Sequence, residues 1–382
     1  MSVKTIVVLG GYGNFGKRIS EFFSEDPSLK ERDLTVYIAG RNIQSAQNFC
    51  NTFESNQMTT YLPLKIDIFA DNCFDILQTI QPDLIIHTSG PFQGQDAFIA
   101  KYCLQLNCHY IDLADDRKFV NHITDLNKIE NINPDLLIVS GASSVPGVSS
   151  TVVCELAKQF SELHVIDIAI APGNQAERGK ATLKGILSYT GKPFLIWKNK
   201  KWQQVFGWMD SRKVDFKYGI GKRHLANVDV PDLELFPKYF PALKTMTFQA
   251  GLELGWLHNI MLLMAKLAKH KWIKNWASYT GIIYYLACKV ERFGSGDGAM
   301  RVKLSGLNHQ KQQQEIIWTL VAKDGIGPFI PTFASLILAK KLILNEGVYK
   351  GITPCMNLFS LKEFEDFAFL KNIQSHIELK DK

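Results

Sequence analysis

Residues 5–16 read Thr5-Ile6-Val7-Val8-Leu9-Gly10-Gly11-Tyr12-Gly13-Asn14-Phe15-Gly16, an apolar run that breaks into glycine and resumes with helical character. A chain that opens this way is held to a strand, a tight turn and a helix, the unit that starts a doubly wound dinucleotide-binding domain. Gly11 is expected to allow the turn, Gly13 to let backbone N–H groups approach a pyrophosphate, and Gly16 to let helix and strand pack closely. The helix, read as starting at Asn14, offers a diphosphate its free N–H groups and the positive end of its dipole. Tyr12, Asn14 and Phe15 complete the expected cradle. A glycine-rich turn can also serve packing alone; the β-branched strand before it and the helix after it favour phosphate binding.

At 382 residues the chain exceeds one ordinary core, so two domains are expected. The first half alternates strand and helix. Strands are expected at Thr5–Leu9, Leu34–Ala39, Leu62–Asp67, Leu84–His87, Tyr110–Asp112 and Leu136–Ser140. Helices are expected at Phe15–Glu25, Ile43–Phe53, Asn72–Ile80, Ala97–Leu106 and Val120–Asn131. Short strands apolar on both faces suit a parallel sheet covered by helices, with ligands bound beyond the carboxyl ends of the strands. The pattern changes after Gly147. Val165–Ala171, Lys244–Gln249, Met300–Leu304 and Ile316–Ala322 read as strands of a largely antiparallel sheet. The expected architecture is an α/β Rossmann domain over 1–147 and an α+β substrate and dimerisation domain over 148–354. The tail 355–382 is expected to pack back on the first domain.

Charge and cysteine usage exclude several classes. The net charge of +6 is scattered, without the basic stripe of a nucleic-acid binder. The seven cysteines (50, 73, 103, 108, 154, 288 and 355) form no C-x-x-C pair, so reduced structural thiols, no metal site and a cytoplasmic protein are expected. Met1 runs directly towards the first strand, which predicts no signal peptide.

The second strand ends in Ala39-Gly40-Arg41-Asn42. An acidic residue here suits the ribose of NAD, whereas an arginine suits a 2′-phosphate, so NADP(H) is the expected cofactor, preferred over NADH. Arg41 is otherwise a solvated surface side chain. Asp67 closes the third strand, either reading the adenine amino group or capping the following segment. Ser89, Gly90 and Pro91, after the fourth strand, are expected beside the ribose and nicotinamide.

Together these residues resemble the saccharopine dehydrogenase-like oxidoreductases, nearly end to end. The resemblance rests on Gly10 to Gly16, Ala39-Gly40-Arg41, Ser89-Gly90-Pro91-Phe92, Tyr110-Ile111-Asp112-Leu113 and Gly141 to Gly147. Ala250-Gly251-Leu252-Glu253, Gly327-Pro328-Phe329-Ile330-Pro331 and Gly347 to Phe364 extend it. It implies an NADP-binding domain, an α+β domain shaping the substrate site, and reversible hydride transfer at the cleft between them. The branch that handles saccharopine has Asp-Pro-Gly after the sixth strand; Val145-Pro146-Gly147 sets this chain apart from it. Other members resemble trans-acting enoyl reductases of lipid assembly, so an enoyl or keto reductase acting on a lipid or polyketide chain is the alternative enzyme. A non-catalytic NADP-binding or membrane-associated scaffold is the alternative of a different class.

Hydride transfer needs an accompanying proton. Asp115 and Asp116 follow the fifth strand, where one carboxylate can carry the proton, or the pair can cap the next helix. The family-like loop places Asp115 first. His87 has a suitable ordinary pKa, as either a catalytic or a hydrogen-bonded core histidine. The Tyr-x-x-x-Lys pattern of short-chain reductases occurs at Tyr61/Lys65, Tyr218/Lys222 and Tyr285/Lys289, none in the required context.

Residues 251–289 hold two apolar helical segments, Gly251–Met264 and Trp276–Cys288, around the basic stretch Lys266 to Lys274. Each is shorter than the roughly 20 residues that span a bilayer. A buried hairpin or homodimer interface with a solvated turn is the expectation. Peripheral membrane contact through the basic turn is the alternative.

Overall fold

Apolar strands of four to seven residues alternate with helices through the first 147 residues of the computed structural model, which describes residues 3–53 and 58–381. They are β1 (Thr5–Leu9), α1 (Asn14–Glu25), β2 (Leu34–Gly40), α2 (Ile43–Cys50), β3 (Thr59–Lys65), α3 (Cys73–Ile80), β4 (Leu84–His87), α4 (Phe98–Gln105), β5 (His109–Asp112), α5 (Arg117–Asp125) and β6 (Leu137–Ser140). Every residue of β4, β5 and β6 is buried, as parallel strands covered on both faces require. The opening Met1-Ser2 lies outside the described residues.

There follow α6 (Ser149–Ala157), β7 (Phe160–Ala171), α7 (Lys180–Tyr189), β8 (Pro193–Lys198), β9 (Lys201–Phe206), β10 (Arg212–Asp215), β11 (Lys222–Asn227), α8 (Asp232–Tyr239), β12 (Thr245–Leu252), α9 (Gly255–Lys269) and α10 (Thr280–Val290). The chain ends with β13 (Gly298–Asn308), β14 (Gln313–Ala322), α11 (Ile330–Leu344), β15 (Gly351–Pro354), α12 (Leu361–Leu370) and β16 (Gln374–Asp381).

The first sheet has the order β15-β6-β5-β4-β1-β2-β3 with every pairing parallel. Strand order reverses between β1 and β4. In a doubly wound sheet this switch point opens the ligand crevice at the carboxyl ends, bordered here by the loops after β1, β2 and β4. The second sheet has the order β10-β11-β12-β7-β13-β14-β16, antiparallel except for the parallel β12–β7 pair. Along β13, buried Val302 and Leu304 alternate with half-buried Arg301, Lys303 and Ser305, so one face is core and the other polar. α6 packs on β7 and β13, and α8 on β12. A separate hairpin joins β8 and β9 through Asn199-Lys200, both with positive φ (53° and 57°), as a two-residue primed turn requires.

The chain divides into two units, residues 1–147 with 331–359, and residues 148–330 with 360–382. This corrects the expectation for the C-terminal third. The segment that returns to the first sheet is β15, which pairs with β6 from Gly351↔Leu137 to Pro354↔Ser140. The tail does not pack there: β16 adds to the second sheet along β14, from Val321↔Gln374 to Gln314↔Asp381. Four residues bounded by glycine and proline carry no periodicity, and an edge strand is recruited by backbone hydrogen bonding, which leaves little trace in side-chain pattern. The stretch Gly327–Leu344 is apolar and long enough to cross a membrane, yet its residues from Thr332 to Ala339 are buried in protein, as a core helix's are.

Candidate functional site

The turn after β1 is built on backbone. Gly10 N and Gly11 N both donate to Ala39 O of β2, at 2.8 and 3.1 Å, and Gly13 N donates to Gly10 O at 2.8 Å. Gly10 is the left-handed residue of the turn (φ +78°). Gly11 is required for a different reason: a Cβ there would stand 2.9 Å from Val8 O and 3.1 Å from Ile38 Cα. At Gly16 a Cβ would run into the carbonyl of Gly10, so α1 presses directly on the turn. Gly13 caps α1 in extended conformation, exposed and without a side chain to engage the first-turn N–H groups, and no acidic residue occupies that turn. The helix start thus turns the positive end of its dipole towards the turn with no side-chain cap and no first-turn acid. Asn14 accepts from the Arg18 guanidinium through both its carbonyl and its side chain, and Phe15 is half-buried.

Tyr12 reaches sideways instead of into the cradle. Its ring lies over Gly40, where a Cβ would stand 2.5 Å from Cε1, and its hydroxyl accepts from Asn42 N at 3.0 Å. Tyr12 thereby holds the end of β2. Asn42 caps α2 by accepting from Ser45 N at 3.0 Å. Arg41, between these anchored neighbours, is exposed and makes no ion pair among the described residues. Asp67 lies two residues beyond the end of β3, which stops at Lys65 because its partner β2 ends at Gly40. Its Oδ1 accepts from Phe69 N at 3.1 Å, closing a turn short of α3.

The loop after β4 meets the glycine turn. Thr88 Oγ1 donates to Leu9 O at 2.8 Å, and a Cβ on Gly10 would stand 2.9 Å from Ser89 Oγ. Gln95, which the sequence did not single out, donates from Nε2 to Ser89 O at 3.0 Å and to Pro91 O at 2.7 Å. Ser89, Gly90 and Pro91 remain partly accessible beside the cradle.

The three proton-transfer candidates separate. His87 is 1% exposed, its Nδ1 sits 3.0 Å from the Tyr110 hydroxyl, and Phe92 packs edge-on against its ring. Burial pushes its pKa down to about 3, so it is a neutral core imidazole. Asp116 is the cap of α5, accepting from Phe119 N at 2.8 Å, the bland reading of the acidic pair. Asp115 is solvent-accessible yet crowded: surrounding protein atoms raise its carboxyl above the ordinary range and the Asp116 charge adds to this, while Gln93 Nε2 donates to its Oδ1 at 3.1 Å.

Asp112, beneath them, organises the end of the sheet. Its Oδ1 accepts from Gly141 N, Ala114 N and Ser140 Oγ at 2.8, 2.9 and 3.0 Å, and burial raises its pKa to about 6. The carboxylate thereby joins β5 to the loop after β6. Glu253 does the same in the second unit, accepting from Asn174 N, Ser295 N and Ser295 Oγ at 2.7, 2.9 and 2.8 Å. A cavity of about 300 Å³ also opens on the polar face of the second sheet, around Arg301 and the Arg212–Asp167 ion pair. It contains none of the dinucleotide residues.

No protein-family model matches the sequence, and no curated protein does. Solved structures do. Saccharopine dehydrogenase (L-Glu forming) from Saccharomyces cerevisiae is similar with a TM-score of 0.66 at 11% identity, over 99% of this chain and 100% of that one. Homospermidine synthase from Legionella pneumophila, solved in complex with NAD, is similar with a TM-score of 0.63 at 10% identity, over 100% of this chain and 92% of that one. A parallel sheet of reversed strand order, followed by a mixed sheet of seven strands, is thus the saccharopine dehydrogenase fold, and this chain has it.

Proposed function

We propose that the protein is an NADP(H)-dependent oxidoreductase that transfers a hydride to or from a small organic substrate. The observation that carries this reading is the glycine-lined turn from Gly10 to Gly16, set against the accessible Ser89–Pro91 loop and followed at the end of β2 by the exposed Arg41, which makes no ion pair among the described residues. The first-turn N–H groups of α1 would hold the diphosphate, and the Arg41 guanidinium would pair with a 2′-phosphate. Tyr12, by binding Asn42 N, orients the backbone that carries Arg41. The NAD complex of the structurally similar homospermidine synthase supports a nicotinamide dinucleotide as the group held.

When bound, the nicotinamide supplies the hydride donor or acceptor. Asp115 is the residue assigned to the accompanying proton, being the one of the three candidates that is open to solvent and caps no helix. Gln93 orients its carboxyl. His87 and Asp112 are too deeply buried to exchange protons with a substrate and serve the scaffold.

Titration with NADPH and NADH, followed by nicotinamide fluorescence, tests the reading. NADPH should bind more tightly. Arg41→Ala should weaken NADPH by roughly tenfold to a hundredfold, the worth of one charge-assisted pair, and leave NADH unchanged. Binding of neither nucleotide overturns the function. An equal loss of both assigns Arg41 a different role.

A further inference from the structure

The second unit exposes apolar surface that the proposed chemistry does not use. On α9, His258, Met261 and Ala265 are buried. Ala268 continues this side, within 2.7 Å of where a Cβ on Gly191 would stand. Trp256, Ile260 and Leu263 recur at i, i+4 and i+7 on the opposite side, and each is 45–57% exposed. α9 is therefore apolar on two faces and packs only one. α10 repeats the arrangement: Thr280 is buried, while Ile282, Tyr285 and Leu286 are 56–62% exposed. In the turn between them Trp272 is 77% exposed, and Trp276 Nε1 anchors the turn by donating to Met264 O at 2.8 Å. The expected buried hairpin is thus corrected, because the cores beneath α9 and α10 take up one face of each.

The charges along this stretch are predominantly basic. From Gly255 to Phe293 the chain carries Lys266, Lys269, Lys271, Lys274, Lys289 and Arg292 against a single acid, Glu291. None of the six cations forms an ion pair among the described residues. Lys289 and Arg292 lie over the rings of Tyr285 and Phe293, at 5.4 and 5.0 Å. Exposed apolar side chains grouped along one helix face mark an interaction site. A cluster of cations with tryptophan and tyrosine at its border is complementary to phospholipid headgroups. The same cluster opposes a second copy, which would set like charges face to face.

We propose that the exposed faces of α9 and α10 rest on an anionic phospholipid bilayer, with Trp256, Ile260, Leu263, Ile282, Tyr285 and Leu286 at the headgroup–acyl boundary and the lysines on lipid phosphates. At 15 and 11 residues the helices are too short to span, so they lie in the interface plane. The assignment is independent of the cofactor.

Flotation of the full chain with vesicles tests it. The protein should float with vesicles containing phosphatidylserine, lose most of that binding at high salt, and float poorly with phosphatidylcholine alone. Lys271→Glu with Lys274→Glu should reduce flotation by roughly tenfold or more, since each lysine near an anionic surface contributes several-fold. Leu263→Ser with Ile282→Ser should reduce it comparably, with an unchanged thermal melt establishing that the variants fold. Absence of flotation on anionic vesicles overturns the proposal, as does flotation that both double variants retain. Light scattering that shows a dimer dissociated by Leu263→Ser and Ile282→Ser, without lipid binding, overturns it in favour of a second copy.

Discussion

Gly16→Ala should cost the protein both nucleotide binding and stability. The added Cβ meets only backbone: the Gly10 carbonyl oxygen, which it would overlap, Gly11 Cα at 2.7 Å and Gly10 C at 2.8 Å. No side chain can swing aside, so α1 must lift or the turn must open. Overpacking of this kind costs about 1–3 kcal/mol of folding stability, which urea denaturation would read directly. The same displacement moves the first-turn N–H groups away from a diphosphate. Loss of one or two charge-assisted hydrogen bonds predicts NADPH binding weaker by about a hundredfold. Gly281→Ala is the control, because a Cβ there meets nothing within 4 Å and lies on an exposed helix; it should be neutral or slightly stabilising. Equal behaviour of the two variants would show that the turn is not compressed against α1.

His87→Phe should lessen acid lability. The native pKa of about 3 lies below the ordinary 6.5, so the unfolded chain takes up a proton that the native imidazole refuses. The stability tied to neutral His87 is complete above pH 6.5 and is lost as pH falls towards 3, at about 1.4 kcal/mol per pH unit. Asp112 has the opposite sign. Its native pKa of about 6 exceeds the ordinary 3.8, so its contribution is complete below pH 3.8 and disappears as pH rises through 6. Between pH 4 and 6 these two contributions have opposing slopes, and burial lowers His258 to about 4 with the same sign as His87, so the His87 share is read from the difference between wild type and variant. Phenylalanine fits the ring packing against Phe92 and does not titrate. The wild-type advantage over His87→Phe should therefore shrink by roughly 3 kcal/mol from pH 7 to pH 4 in urea denaturation. At pH 7 the variant also loses the Tyr110 hydrogen bond, a cost of about 1 kcal/mol or more. Parallel curves would mean that His87 titrates as if in water, which would return it to the proton-transfer candidates.

The parts of the site that local chain geometry dictates are legible residue by residue. An apolar run broken by glycines at 10, 11, 13 and 16 has few other ways to fold, and an arginine follows the second strand wherever that strand ends. Asp116 as a cap follows from its place before a helix. Contacts between distant segments are not legible. Nothing near Gln95 announces that it holds Ser89 and Pro91. The role of Asp112 exists only because β5 lies beside β6, 28 residues later. The left-handed residue is Gly10 because both Gly10 N and Gly11 N must reach Ala39 O, a demand set by β2.

The amino-acid pattern alone decided that a parallel, helix-covered sheet begins this chain, that its first turn is lined by glycines ahead of a helix start, and that a basic turn separates two apolar segments. Side-chain periodicity and turn chemistry act within a few residues, so they survive being read in one dimension. Three-dimensional packing decided which strands close each sheet, that His87 is buried and neutral while Asp115 is open, and that α9 and α10 turn apolar faces outward. Burial and backbone pairing depend on what lies opposite, and the partner is a segment far along the chain.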